Sequence, residues 1–188
     1  SERLFDVIFP VIHGPLCEDG TVQGLLELAD LPYVGCGVLS SAVGMDKDFS
    51  KRLVQAAGIH VAPYHIVKRG EWNLNSAEIC HTVAKKLCFP LFVKPANTGS
   101  SVGIEKIKHP EELAAAINNA FQYDTKVIVE QAINAIELGL AVLESLDYGK
   151  DPLVSVVGEV RPQHEFYSYA AKYLDVNGAE LLVPAEII

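Results

Sequence analysis

The stretch Pro90-Leu91-Phe92-Val93-Lys94-Pro95-Ala96-Asn97-Thr98-Gly99-Ser100-Ser101-Val102-Gly103 decides how the rest of the chain is read. Leu91 to Pro95 reads as a short apolar strand with a lysine near its end. Gly103 to Ile107 reads as a second strand, so a Gly/Ser-rich turn joins the two. No Gly-Lys-Ser/Thr opens a helix after it, which excludes a Walker A loop. A hairpin of this composition can still lay backbone N–H groups and hydroxyls over phosphate oxygens, with Lys94 as a point charge beside them. Taken alone, the same residues also fit a surface hairpin with a solvated lysine.

Outward from this hairpin, strand-like apolar runs alternate with helix-periodic segments, the pattern of an α/β protein. Strands are expected at Val61 to Val67, Lys126 to Gln131, Leu138 to Leu143, Leu153 to Val160 and Leu181 to Val183. Asp19 and Thr21 can cap a helix with Val22, Leu25, Leu26 and Ala29 on one face. Asp46 can cap a second with Phe49, Leu53 and Ala57 inward and Gly58 as its stop. A third carries Ile79, Cys80, Val83, Ala84 and Leu87 inward. The fourth opens on Pro110, with Glu111 and Glu112 at its positive end and Leu113, Ala116, Ile117, Ala120 and Phe121 inward. Phe5 to Ile12 reads as a buried parallel strand, and such a strand needs neighbours in its sheet. Because it starts almost at the first residue, and Leu181 to Ile188 runs on without a closing helix, both ends are expected to be interruptions of a longer protein.

Composition narrows the function classes. Of 188 residues, 49% are hydrophobic and 21% charged, the balance of a folded globular protein rather than a disordered tail. The net charge of −9 argues against non-specific nucleic-acid binding, while leaving room for a few lysines to set a local phosphate field. No apolar run approaches the roughly 20 residues of a membrane span, and Ser1 to Asp6 lacks the shape of a signal peptide. Four cysteines without a Cys-x-x-Cys pair fit free thiols in a reducing cytoplasm, with neither a disulfide frame nor a zinc site.

Further candidates come from position. Glu130 ends a strand and Glu137 follows shortly. A strand end can offer main-chain groups to an adenine edge, and a carboxylate suits ribose hydroxyls, although solvated edge carboxylates read the same way. Lys47, inside the Asp46-capped helix, is a second phosphate contact or a surface cation. His13 and Glu18 lie in the loop after the first strand, where α/β proteins bind ligands. Phe166-Tyr167-Ser168-Tyr169-Ala170-Ala171-Lys172-Tyr173 is too aromatic to lie exposed, so packing or a lid is expected.

Several motifs, in order, resemble one family. They are His13-Gly14-Pro15-Leu16-Cys17-Glu18-Asp19-Gly20, Met45-Asp46-Lys47, Phe92-Val93-Lys94-Pro95, Gly99-Ser100-Ser101-Val102-Gly103, Val129-Glu130-Gln131 and the Phe166 to Tyr173 stretch. Together they resemble the D-alanine–D-alanine ligases of the ATP-grasp superfamily over the whole chain. The resemblance implies an α/β ATP-grasp fold in three parts. Residues 1 to about 42 would end an N-terminal doubly wound (preATP-grasp) domain, 43–131 form the small nucleotide-clamping subdomain, and 132–188 begin the large one.

The resemblance also implies roles. Lys47 and Lys94 would bind ATP phosphates, with Ser100, Ser101 and their loop as cover. Glu130, Gln131 and Ile133 would meet the adenine, Gln131 and Ile133 through main-chain groups. Glu137 would hold the ribose, Phe166 would pack on the adenine, and Lys172 would reach the transferred phosphate. His13, Ser100 and Tyr173 would line the first D-alanine site, with Glu18 supporting that loop. The implied reaction is ATP-dependent joining of two D-alanines for peptidoglycan, in the cytoplasm, with Mg2+ or Mn2+. The metal ligands are expected beyond Ile188, and the chain alone is expected to be inactive. A homodimer is compatible with the resemblance. The Lys172-Tyr173 pair implies an amine nucleophile. A D-serine- or D-lactate-using relative, or a nucleotide-binding module without catalysis, remains the alternative. The sequence departs from the family's habit at Cys17 (usually glycine), Ile136 (usually basic), Gly139 and Ala170 (both usually acidic).

Overall fold

Strands β1 (Tyr64–Lys68), β2 (Leu91–Pro95), β3 (Glu105–Ile107) and β4 (Lys126–Gln131) form an antiparallel sheet in the order β1-β4-β2-β3. In the computed structural model, which describes residues 5–163, 175 and 178–186, Val93 lies opposite Val129 and Phe92 opposite Glu130. Side chains alternate across a strand, so this register sorts the sheet into two unlike faces. Val67, Leu91, Val93, Ile107, Val127 and Val129 point one way into a buried cluster. Phe92, Lys94, Lys126, Ile128 and Glu130 share the opposite face.

Helices α4 (Arg69–Lys86) and α5 (Leu113–Ala120) supply the other half of that cluster with Trp72, Val83, Leu113, Ala116, Ile117 and Ala120, joined by Leu87 and Phe121 just past the helix ends. The expected inner face of α5 is buried residue for residue. A short 3-10 turn at Pro110–Glu112 precedes it, and Glu112 accepts the N–H groups of Lys108 and His109 at 2.7 and 3.0 Å. Helix α4 begins well before the segment expected from the sequence and bends at Asn75, whose φ of −142° is not helical. The early part carries Trp72, whose Nε1 donates to Asn118 Oδ1 at 2.8 Å. Ala84, expected inward, is exposed.

Nearer the start lie α1 (Thr21–Leu28), α2 (Val38–Met45) and α3 (Lys47–Ala56). Three expectations are corrected here. Phe5 to Ile12 forms no strand among the described residues. Only Ile8 bridges to Tyr33, and a strand without a ladder on either side has nothing to hold its backbone extended. Leu25 and Ala29 of α1 are exposed rather than inward. In α3, Phe49 and Leu53 are 53% and 57% exposed and Ala57 is exposed too, while the buried residue is Asp48. Ion pairs rather than apolar contacts orient α3, as described below. Helix α2 was not anticipated.

The chain divides after Ala132 into two compact units. The second holds β5 (Glu137–Gly139), β6 (Val142–Leu143), β7 (Leu153–Val154), β8 (Gly158–Pro162) and β9 (Ala179–Leu182). They build a three-stranded antiparallel sheet, β5-β8-β9, and a separate β6-β7 pair. Glu159 is buried in this unit and takes Arg161 Nε at 2.6 Å, and Arg161 also reaches Glu186 at 3.0 Å.

One glycine of the Gly/Ser hairpin is required by its surroundings. Gly103 sits at φ +69°, and a methyl group there would lie 2.5 Å from the Tyr123 ring and 2.9 Å from Pro95 Cγ. Gly103→Ala is expected to lower stability by about 1–3 kcal/mol in thermal denaturation. Gly99→Ala, where nothing stands within 4 Å, is expected to stay close to the parent.

Candidate functional site

The polar face of the first unit's sheet collects lysines. Lys94 projects from β2 beside Phe92, with its Nζ 5.1 Å from the ring centre, and Lys126 projects from the start of β4. Helix α3 lies over them with its charged side down. Asp46 caps α3, its Oδ1 accepting the N–H groups of Asp48 and Phe49 at 3.0 and 3.2 Å, as the sequence led one to expect. The other Asp46 oxygen takes Lys126 Nζ at 2.5 Å, and Asp48 lies 3.5 Å from the same ammonium. Lys126 also stands over the Phe49 ring at 4.7 Å, and Arg52 closes on Asp48 at 2.7 Å. One turn along α3, Lys51 reaches Glu130 Oε1 at 3.1 Å, while Lys94 takes Glu130 Oε2 at 3.2 Å.

Lys47 opens α3 directly against the hairpin. Its backbone N–H donates to the Ala96 carbonyl at 3.1 Å, and its Nζ donates to the carbonyls of Thr98 and Ala96 at 2.6 and 3.4 Å. Loss of water and then the neighbouring Lys94 ammonium push the Lys47 amine down to about 8 from 10.5, with Asp124, Asp46 and Glu130 pulling the other way. The base of the hairpin is tied down by Asp124. Its Oδ2 accepts the Asn97 backbone N–H at 2.8 Å and the Asn97 Nδ2 at 3.0 Å, and its Oδ1 accepts the Thr125 N–H at 2.6 Å. Beyond that base, Ser100 and Ser101 adopt φ of 52° and 59°, a left-handed conformation uncommon for serine.

Lys47, Lys94 and Glu130 are thus gathered, with Ser100 and Ser101 in the hairpin that Lys47 holds at Thr98. Gln131 ends β4 with its N–H given to the Pro63 carbonyl at 2.9 Å and its side-chain Oε1 accepting from Cys88 N–H at 3.2 Å. Ile133 is exposed and, with Glu137 on the edge strand β5, belongs to the second unit. Phe166, Lys172 and Tyr173 lie outside the described residues, as does Ala170. His13 is exposed in its own loop, where Glu18 Oε2 accepts the Gly14 N–H at 2.6 Å and so braces the turn. In that turn the positive φ values fall on Gly14, Leu16 and Gly20, so the side chain of Cys17 meets no backbone penalty there.

The sequence reading missed Lys51, Lys126, Asp48 and Asp124. The signal for two of them was present: Asp48 and Lys51, with Asp46 and Arg52, set acids before bases at helical spacing. Lys126 left no such mark because its acids lie far off in the chain, and Asp124 left none because its partners are amide groups of Asn97 and Thr125. Among the described residues no three His, Cys, Asp or Glu side chains gather to hold a metal ion. The carboxylates here are turned to ammonium groups and amides, so the described residues do not make a magnesium or manganese centre.

Comparison with known proteins gives a consistent picture. A family model for the "D-ala D-ala ligase C-terminus" matches residues 53–188, and one for the "D-ala D-ala ligase N-terminus" matches residues 1–36. The chain is 54% identical to D-alanine–D-alanine ligase A of Bradyrhizobium diazoefficiens, over 97% of this chain and 48% of that protein. Among solved structures, it is similar to the VanG D-Ala:D-Ser ligase of Enterococcus faecalis, with a TM-score of 0.83 and 43% identity over 97% of this chain and 51% of that one. It is also similar to the D-alanyl-alanine synthetase A of Vibrio cholerae, with a TM-score of 0.80 and 35% identity over 97% and 54%. The chain spans about half the length of the curated relatives it matches.

The low titration point of Lys47 makes stability depend on pH in a defined direction. Its folded value is depressed, so between about 8 and 10.5 the unfolded chain holds the extra proton and stability rises with pH. Relative to Lys47→Met, the parent protein is expected to gain at most about 3 kcal/mol as pH goes from 7 to 10.5, read from paired denaturation curves.

Proposed function

The chain belongs to the D-alanine–D-alanine ligase family and has its ATP-grasp fold, and from that premise we propose that it is the nucleotide-clamping half of an enzyme joining two D-alanines at the expense of ATP. Residues 43–131 are the clamp, 132–188 open the larger subdomain, and residues up to about 42 close the domain before them. The observation that carries the reading is the convergence of Lys47, Lys94 and Glu130 on one sheet face, beside a hairpin whose first arm is held at Asn97 and Thr98.

In this reading the Lys47 and Lys94 ammonium groups take the phosphates of ATP, and the Ser100–Ser101 turn covers them. A phosphate group beside Lys47 restores the negative charge that burial denies it, so binding is matched to the depressed lysine. Glu130, Gln131 and Ile133 receive the adenine and Glu137 the ribose, with Phe166 against the base. ATP phosphorylates the carboxylate of one D-alanine. The amine of the second then attacks the acyl carbon, the carbon–oxygen bond to phosphate breaks, and the dipeptide and phosphate leave. Lys172 steadies the phosphoryl group in transit, His13, Ser100 and Tyr173 orient the first D-alanine, and Glu18 braces the His13 loop. Positioning and charge do the chemistry, and a lid over the acyl phosphate keeps water out. Bound Mg2+ or Mn2+ would supply further neutralisation of the phosphate charge. A cytoplasmic site for peptidoglycan precursor synthesis follows from this activity. No helix among the described residues is long and apolar enough to cross a membrane.

The likeness to a D-Ala:D-Ser ligase at 43% identity keeps the second nucleophile open to one alternative. Incubating the full-length protein with ATP and an equal mixture of D-alanine and D-serine decides it: D-alanyl-D-alanine is the expected main product. Absence of D-alanine-dependent phosphate release would sink the ligase reading as a whole. Within it, Lys94→Ala is expected to weaken ATP binding by about 1.5–3 kcal/mol in calorimetry, the range for a charged hydrogen bond.

A further inference from the structure

Glu130 is a single carboxylate answered by two ammonium groups, one on each oxygen. Lys51 Nζ lies 3.1 Å from Oε1 and Lys94 Nζ 3.2 Å from Oε2, and the three side chains are only 19%, 20% and 14% exposed for Lys51, Lys94 and Glu130. One lysine would neutralise the glutamate. The second leaves the trio one positive charge in excess, on a face where Lys47 already lacks a full counter-charge. The two lysines are not equivalent in the fold. Lys94 sits at the mouth of the hairpin on β2, whereas Lys51 is fixed on α3 with its ammonium against the Tyr64 ring at 5.6 Å.

We infer that Lys51 is a positioning residue for nucleotide binding: it keeps Glu130 paired while Lys94 exchanges that carboxylate for a phosphate group of the nucleotide. The inference rests on the reading of Lys94 as a phosphate ligand. A half-buried carboxylate stripped of its sole partner would carry a desolvation penalty that the new lysine–phosphate contact has to overcome. With Lys51 in place the exchange leaves one ion pair behind, and the excess charge goes to the ligand. Without Lys51, Glu130 holds Lys94, and the phosphate must compete for it.

The test uses the full-length protein titrated separately with ADP and with adenosine. Lys51→Met is expected to weaken ADP by about tenfold and to leave adenosine within about twofold, because only the phosphates draw on Lys94. Lys51→Arg, which keeps a cation on Glu130, is expected to recover most of the ADP affinity. In a Lys94→Ala background, adding Lys51→Met is expected to change ADP binding little, since no exchange remains to assist. Equal weakening of ADP and adenosine by Lys51→Met would mean that Lys51 acts on the fold or on the adenine end of the site through Glu130, not on a phosphate exchange at Lys94, and overturns the inference. The same loss of ADP affinity with or without Lys94 would make Lys51 a direct phosphate contact, and overturns it too. If Lys94→Ala weakens ADP but Lys51→Met does not, this inference alone fails. If Lys94→Ala binds ADP as the parent does, the reading of Lys94 fails and takes this one with it.

Discussion

A charged group leaves water only where something else answers its charge, and the polar face of the four-stranded sheet is organised by that constraint. Lys126 is answered by Asp46 and Asp48, Glu130 by Lys51 and Lys94, and Asp124 by both amides of Asn97 at the hairpin base and by the Thr125 N–H. These pairs join α3, β2, β4 and the hairpin where apolar contact is scarce, because Leu53 of α3 is exposed and the half-exposed Phe49 sets its ring against the Lys126 ammonium. Lys47 is the least satisfied member, with its hydrogen bonds going to two carbonyl oxygens. In a chain of net charge −9, this is where the local field runs the other way, which suits a polyanionic ligand.

How much of this was legible in the sequence depended on which force placed each element. Strands β2 and β4 and the inner face of α5 were read correctly because burial of apolar side chains fixes them, and periodicity reports burial. Helix α3 was read with its faces reversed for the same reason: Phe49, Leu53 and Ala57 keep helical spacing, but ion pairs took the inward side. Phe5 to Ile12 has the letters of a buried strand, yet a strand exists through its neighbours, and Ile8 alone found one. The start of α4 was overlooked because Arg69 to Asn75 carries little apolar periodicity. Its anchor is a single tryptophan.

The site divides along similar lines. Lys94 and Glu130 were visible as charged residues placed within apolar strands, where a charge needs a reason. Lys47 was visible through the cap before it. Their partners were harder to see, because a salt bridge between residues far apart in the chain, such as Lys126 and Asp46, leaves no local pattern. The Gly/Ser hairpin announced itself by composition, but Asp124, which fixes its base, lies in another turn and reads as an ordinary turn residue.

The two-faced sheet has a consequence for how such a chain can vary over time. Because neighbouring residues of β2 and β4 belong to opposite faces, losing or gaining a single residue within either strand would turn the core valines onto the lysine side and drive Lys94 or Glu130 into the apolar cluster. A substitution disturbs one contact, whereas a one-residue length change in these strands exchanges the two environments wholesale. Length variation among descendants should therefore accumulate in the turns between strands, and the spacing from Leu91 to Pro95 and from Lys126 to Gln131 should outlast the identity of most residues within it.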